Sequence, residues 1–289
     1  MIEKIIGVAA YILLAQLVGG LLDGLDRKIS ARMQGRVGPP LLQPFYDVRK
    51  LFAKQIVGVI NSSQAAMLYS YLLLMVFSGC IFFAGNDILM SVFVLSTASL
   101  FLYFTAVITG SPYNSIAASR ELIQIMTYEP AVILACVGFY MASGTFNVSG
   151  IIHSDMVMIT RLPGFFIAFV FILTIKMRKS PFDVSTSHHA HQELVKGVTT
   201  EMGARNLAIY TVAEWYEVVY LLGFVALFVI NQQWWSFVLA VVVILAVYFL
   251  EILIDNSSAR VKYGAMLKWT WAMTLLAAGV NLLILMLIR

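Results

Sequence analysis

The sequence is poor in cysteine and in charge, and both shortages exclude functions. Its two cysteines, Cys80 and Cys136, each stand alone in an apolar run of the 289-residue chain. Thiolate-held zinc and iron–sulfur centres need clustered cysteines, so this chain is expected to hold no metal and no cofactor of its own. Both thiols read as small buried hydrophobes. Charged residues make up 12% of the chain, where a soluble domain carries about 25%. With 61% hydrophobic residues and a mean hydropathy of +0.88, that scarcity excludes a soluble enzyme and a disordered chain. No nucleophile–base pair, phosphate-cradling glycine loop or dinucleotide fingerprint is present, so no catalytic residue is expected. The net charge of +4 calls for no nucleic-acid partner, because basic residues of a membrane protein mainly set its topology.

Long apolar runs, by contrast, fill the chain. A helix needs about 20 apolar residues to cross the hydrocarbon core. Eight stretches are read as spans, at 5–22, 67–84, 88–109, 122–143, 163–177, 207–230, 234–254 and 267–288. The predicted fold is therefore all-α, one polytopic membrane domain over residues 1–289 with eight transmembrane helices. The first run is too long for a signal-peptide core and lacks a small-residue cleavage site, so it is kept as a span. The fifth is short. Pro163 suits its first turn, and Lys176 and Arg178 are expected to snorkel at its other end.

With eight spans, the loops after spans one, three, five and seven face one side and hold sixteen of the nineteen basic residues. Lys4, Arg161 and Arg289 face the other side. By the positive-inside rule both termini lie outside and the long loops are cytoplasmic, in a cell inner membrane. The first of these loops carries two amphipathic stretches. Leu22, Leu25, Ile29 and Met33 recur at helical spacing opposite Asp26, Arg27 and Lys28. After Gly38-Pro39-Pro40, a second stretch sets Leu41, Phe45, Val48, Leu51 and Phe52 against Asp47, Arg49, Lys50 and Lys54. Such segments lie along a membrane surface or dock a partner.

Carboxylates inside a bilayer are costly and are retained mostly for ion or proton paths. Glu129 lies in the first half of span four, with Glu121 at its mouth. Glu214 and Glu217 lie one turn apart in span six, and Glu251 sits near the inner end of span seven. On the predicted topology all five fall in the cytoplasmic half, as a polar funnel that would carry protons or another cation. The structural alternative is ion pairing with Arg120, Lys262 or Lys268.

The third cytoplasmic loop is the densest in chemistry. It reads Met177-Arg178-Lys179-Ser180-Pro181-Phe182-Asp183, then Ser187-His188-His189-Ala190-His191-Gln192-Glu193, and later Thr200-Glu201. No cysteine assists the histidines, and all three cannot point one way from a helix. A proton-accepting patch or a polar interface is therefore expected ahead of a metal site.

These motifs resemble a known family. Ala31-Arg32-Met33-Gln34-Gly35-Arg36-Val37-Gly38-Pro39, followed by Leu42-Gln43-Pro44, is similar to the first-loop signature of respiratory complex I subunit 1. Tyr128-Glu129 resembles its membrane glutamate segment. Arg178 to Asp183, with Glu193-Leu194-Val195 and Thr200-Glu201, resembles its third cytoplasmic loop. Complex I proteins have an acidic run where this chain has His188-His189-Ala190-His191-Gln192-Glu193. That stretch and the short chain look more like the membrane subunit of membrane-bound energy-converting [NiFe] hydrogenases.

The resemblance implies a membrane anchor between soluble and membrane modules. Its partners would be hydrogenase large and small subunits, a ferredoxin-like iron–sulfur subunit and an antiporter-like membrane subunit. The [NiFe] centre and [4Fe-4S] clusters would lie on those partners, and quinone binding is not carried over. Electron transfer from ferredoxin to protons would drive proton or sodium translocation. The resemblance assigns Glu129 to a lateral membrane path. It sets Asp183, Glu193 and Glu201 beneath the nearest cluster, with His188, His189 and His191 in the same coupling loop. Arg32, Arg36 and Arg178 would fix those acids or dock the soluble arm, and Glu214 falls where the family often has an acid. Three other readings stand beside this one: the equivalent subunit of a formate hydrogenlyase or a quinone-reducing complex I, a passive scaffold, and a solitary transporter.

Overall fold

In the computed structural model, which describes residues 2–55, 61–154, 156–179, 181–186, 194 and 196–288, helices account for nearly all regular structure. They are α1 (Ile2–Met33), α2 (Gln43–Ala53), α3 (Ser62–Phe83), α4 (Ile88–Val107), α5 (Pro112–Ser143), α6 (Val148–Ile152), α7 (Met158–Arg161), α8 (Pro163–Lys176), α9 (Ala204–Leu227), α10 (Trp235–Ser257), α11 (Tyr263–Met273) and α12 (Val280–Ile288). A π-helical segment, Thr274–Gly279, joins α11 to α12 without a break. Among the described residues the only β-type pairings are isolated, at Asp87 with Asn147 and Phe182 with Val261.

Local chemistry explains the helix starts. The Asn61 side chain accepts from the Gln64 N–H at 3.1 Å, and Asp87 accepts from those of Leu89 and Met90 at 2.8 and 3.2 Å. Pro44, Pro112 and Pro163 occupy first turns, where a missing N–H is harmless.

Seven helices are long and apolar enough to cross a membrane, namely α1, α3, α4, α5, α9, α10 and the continuous Tyr263–Leu287 unit. The expected fifth span is α8, whose 14 residues cover only about 21 Å at 1.5 Å per residue. It nevertheless runs between the same two ends as its neighbours. At one end the Ile159 N–H donates to the Phe228 carbonyl at 2.7 Å, Ile88 to Phe146 at 2.9 Å, and Lys4 Nζ to Asn86 Oδ1 at 2.9 Å. At the other end Asp183 N–H donates to Val261 at 3.1 Å, and Asn256 Nδ2 to Ser30 Oγ at 2.9 Å. The segments rich in basic residues meet at this second end, called here the loop end.

Two boundaries differ from expectation. The stretch Leu22 to Met33 is not a separate surface helix but the continuation of α1, which is unbroken for 32 residues. The second amphipathic stretch is α2, as expected. It lies against α1 so closely that a Cβ on Gly20 would run into the Phe45 ring, and one on Gly24 into the Leu41 carbonyl of the turn before α2. Helix α5 begins at Pro112, ten residues before the predicted span, so Glu129 lies near its middle rather than close to the loop end.

Aromatic packing fills the half of the bundle away from the loop end. Phe82, Phe139, Phe169, Phe224 and Phe228, from α3, α5, α8 and the end of α9, are buried together. Their ring centroids lie 4.5 Å apart for Phe169 and Phe224 and 4.6 Å apart for Phe139 and Phe228. Such pairs contribute about 0.5–1.5 kcal/mol each beyond their buried area. The buried charges gather instead in the loop half.

Candidate functional site

Helix α8 ends by carrying three cations into the bundle, one after another. Lys176, Arg178 and Lys179 are 7%, 7% and 5% exposed. Snorkelling is thus overturned for Lys176 and Arg178: each turns inward because a carboxylate of α5 or α9 waits there. Arg178 adopts the left-handed backbone conformation at φ 54°, which sharpens the turn that delivers these side chains.

Lys176 Nζ lies 2.9 Å from Glu217 Oε1, with both side chains under a tenth exposed. Tyr71 donates its hydroxyl to the same carboxylate at 3.4 Å. The ammonium also reaches Ser99 Oγ at 3.4 Å and sits 4.1 Å from the Tyr128 ring centroid, while Tyr128 donates to Ser99 at 3.2 Å. Charge, hydroxyls and ring thus continue from α9 to α4 and α5.

Arg178 forms a second group. Its Nη1 is 3.1 Å from Glu121 Oε2, its Nη2 donates to Glu121 Oε1 at 3.3 Å, and its Nε is 3.5 Å from Glu214 Oε1. Ser185 donates to Glu121 and accepts from Arg178 Nη1 at 2.9 Å. Burial works against the guanidinium charge, and Glu121 and Glu214 more than offset it, holding its pKa above the ordinary arginine value. Lys179 forms a third group, bridging Asp26 of α1 and Asp255 of α10, the latter at 3.6 Å. Burial lowers its pKa, and Asp26 and Asp255 together raise it above the ordinary lysine value. In a fourth, at the mouth, Arg27 joins Asp23 at 3.0 Å and Asp47 at 2.7 Å.

Three of these cations, Arg27, Arg178 and Lys179, each hold carboxylates from two chain segments. A cation shared between two acids can shift from one to the other, and the acid it leaves can take up a proton, with little movement of the backbone. Around them lies a cavity of about 350 Å³, lined among others by Asp23, Asp26, Glu214 and Glu217. It is open toward the loop end and is roomy enough for a string of water molecules, each needing about 30 Å³.

The expected acids therefore divide. Glu214 and Glu217 line the cavity. Glu121 is not at a helix mouth but fully inside, 3% exposed and bound by Arg178 and Ser185. Glu251 is wholly buried, and among the described residues neither of its carboxylate oxygens has a hydrogen-bond partner. Glu129 turns away from the group. It is half-buried between exposed Met126 and Pro130, whereas its neighbour Tyr128 points inward to Lys176. Among the described residues, Glu217 pairs with Lys176, and Glu121 and Glu214 with Arg178, rather than with the expected Arg120, Lys262 or Lys268.

In the third loop, Asp183 is 1% exposed and is gripped by Arg260, whose Nη2 lies 2.7 Å away. Glu201 is exposed just before α9. His188, His189, His191 and Glu193 lie outside the described residues. Arg32 and Arg36 are exposed at the loop end, and among the described residues neither pairs with Asp183 or Glu201; Arg36 donates to Gln34. Asp23, Asp26 and Asp255 were missed in the sequence reading. Their signal was present: Asp23, Asp26, Arg27 and Ser30 share one helical face, and Asp255 follows Glu251 by one turn.

The family profile described as NADH dehydrogenase matches residues 5–286. The chain belongs to that family, in its subunit 1/H branch. Hydrogenase-4 component C of Escherichia coli K12 is 28% identical, over 89% of this chain and 89% of that protein. Formate hydrogenlyase subunit 4 of the same organism is also 28% identical, over 88% of this chain and 90% of that one. A chain of an archaeal membrane-bound sulfane sulfur reductase has the same fold, with a TM-score of 0.85 at 21% identity over 98% of this chain and 99% of that chain. This family member is thus a multi-pass membrane subunit of the kind found in respiratory complexes.

Proposed function

We propose that this subunit is the membrane anchor and ion path of a ferredoxin-dependent energy-converting [NiFe] hydrogenase. It couples electron transfer to protons, or the reverse, to translocation of protons or sodium ions. The chain itself is non-catalytic. The [NiFe] and [4Fe-4S] centres belong to partner subunits, docked at the loop end on the cytoplasmic side, and an antiporter-like subunit lies beside α5. The coupling to hydrogen chemistry is supported by the hydrogenase-4 and formate hydrogenlyase relatives. The ferredoxin-dependent branch is supported by the resemblance carried by His188 to Glu193.

The observation that carries the ion path is the continuity of charge. Asp26–Lys179–Asp255, Glu121–Arg178–Glu214 and Lys176–Glu217 connect the loop end to the bundle interior. Tyr128 meets Lys176 on the inner side of α5, and Glu129 lies on the outer side of the same helix. A charge shift in the Asp183 loop reaches Lys179 and Arg178 directly, because all three lie within six residues. A cation that changes carboxylate partner there re-weights the next pair inward.

The reading is tested by affinity purification of the intact complex through this chain. The expected result is co-purifying hydrogenase subunits, nickel and iron together, and hydrogen evolution from reduced ferredoxin. Bound quinone and quinone reduction would overturn it. A second reading, the corresponding subunit of a formate hydrogenlyase, is favoured by the relative of that name. Formate-driven hydrogen evolution by the same preparation, with none from ferredoxin, selects it.

A further inference from the structure

The acid that the ion path leaves unused is Glu251 of α10. It is wholly buried, and among the described residues neither of its carboxylate oxygens has a hydrogen-bond donor. The other buried acids of the loop half are engaged. Glu121 holds Arg178, Glu217 holds Lys176, and Arg260 grips Asp183. Asp255 lies one turn from Glu251 toward the loop end of the same helix, and it shares Lys179 with Asp26.

Helices α1, α8 and α9 pack against α10. From α1, Asp23 is tied to Arg27 and Asp26 to Lys179. From α9, Glu214 is tied to Arg178 and Glu217 to Lys176. On α10 itself, Tyr248 donates its hydroxyl to the Leu22 carbonyl at 2.9 Å. The segment after α8 supplies Lys179, the cation among the described residues whose charge bears on Glu251. A carboxylate taken out of water is stable only where donors or a contacting counter-charge replace the lost hydration. Glu251 has neither within hydrogen-bond distance, so in this arrangement its side chain is a neutral acid.

We infer that Glu251 is a proton-binding site and the inner station of Lys179: it holds a proton while the ammonium lies with Asp26 and Asp255, and yields that proton when the ammonium moves inward to pair with it. The inference builds on the proposed ion path and names a further member of it. Glu251 and Asp255 are four residues apart, about 6 Å along the helix. The flexible four-carbon stem of lysine covers that distance by rotation about its own bonds. Asp255 already holds the ammonium loosely, at 3.6 Å. In the step, the O–H bond of Glu251 breaks and an O–H bond forms on Asp26, the acid the ammonium leaves. The lysine stays protonated throughout. The cavity lined by Asp26, Lys179 and Tyr248 is the route for that proton.

The test uses the assembled, solubilised complex and two neutral replacements, Glu251→Gln and Glu251→Met. Proteolysis of this chain is compared between wild type and each variant at pH 6 and at pH 7. Folded wild type carries a proton at Glu251 that the unfolded chain has released above about pH 4.3, so this residue makes wild type less stable as pH rises. Both variants lack that proton. Their protection relative to wild type should therefore grow about tenfold per pH unit. A relative protection that does not change with pH would overturn the proton site. In inverted membrane vesicles, ions translocated per hydrogen evolved should fall at least about tenfold in both variants, with partial rescue in Glu251→Asp. An undiminished ratio in the Glu251 variants, with Glu129→Gln impaired, would overturn the transfer role and leave the ion path standing. An undiminished ratio in Glu129→Gln as well would remove the path itself.

Discussion

Replacing Lys176 with methionine isolates the energetics of the deepest ion pair. The substitution keeps the chain's length and apolar stem and removes only the ammonium. Glu217 then stays inside the bundle with its side chain 8% exposed, and the Tyr71 hydroxyl at 3.4 Å is the remaining described donor. Breaking a buried pair from one side costs about 3–5 kcal/mol, because the surviving charge is uncompensated. At roughly 2–4 °C per kcal/mol, the unfolding midpoint should fall by about 10 °C. Lys176→Met/Glu217→Gln removes both charges, and Tyr71 can still bond the new amide. It should recover most of the loss, with a coupling energy above about 1.5 kcal/mol. The assay heats the solubilised complex and follows limited proteolysis of this chain by blotting. If the double variant were destabilised by the sum of the two single effects, the pair would not be coupled and the reasoning would fail.

Three further outcomes follow from the same geometry. Arg260→Ala removes the grip on Asp183 and should speed hydrogen exchange at Asp183 and Val261 N–H, while α3 and α4 keep wild-type protection; equal rates in both proteins would count against the clasp. Gly24→Ala drives a methyl group into the Leu41 carbonyl and should destabilise the chain by about 1–3 kcal/mol, measured by the same proteolysis; a neutral result would show that the turn leading into α2 is not tightly seated on α1. Lys179 has a raised folded-state pKa, so its stabilisation is fully present below the ordinary lysine value, about 10.4, and is lost only as pH rises through the higher folded value. Lys179→Gln should therefore lower the unfolding midpoint equally at pH 6 and pH 8, and a pronounced pH dependence of that loss would contradict the pairing.

The acids of the site were legible because a carboxylate in an apolar run has no cheap reason to be there. Glu121, Glu214, Glu217 and Glu251 stand out for that reason, and all four lie inside the bundle or on its cavity. Their cationic partners were hidden. Lys176, Arg178 and Lys179 follow an apolar run, which is also the pattern of side chains that reach for the membrane surface. Only the inward turn at Arg178 distinguishes the two. Likewise the periodicity of Leu22, Leu25, Ile29 and Met33 fits a new surface helix or the continuation of α1 equally well. Gly24 is the one weak point within that stretch and stays helical, so α1 runs on until Gly35, whose φ is 72°. The early start of α5 had a signal in Pro112, outweighed by the polarity of Asn114, Ser115, Arg120 and Glu121. The outward aim of Glu129 depends on which face of α5 the other helices cover, and periodicity within one helix does not carry that information.

On the proposed path, ions cross toward a neighbouring subunit through the charged interior of this chain and leave by Glu129. This path is tested most directly by Glu129→Gln in inverted membrane vesicles supplied with reduced ferredoxin, measuring ions translocated per hydrogen evolved. Because Glu129 makes no described ion pair, the variant should assemble with unchanged subunit composition. Translocation should fall at least about tenfold, the loss of one proton-transfer group being worth roughly 10²–10⁴, while hydrogen evolution persists with the gradient collapsed. An undiminished ratio of ions to hydrogen would contradict it.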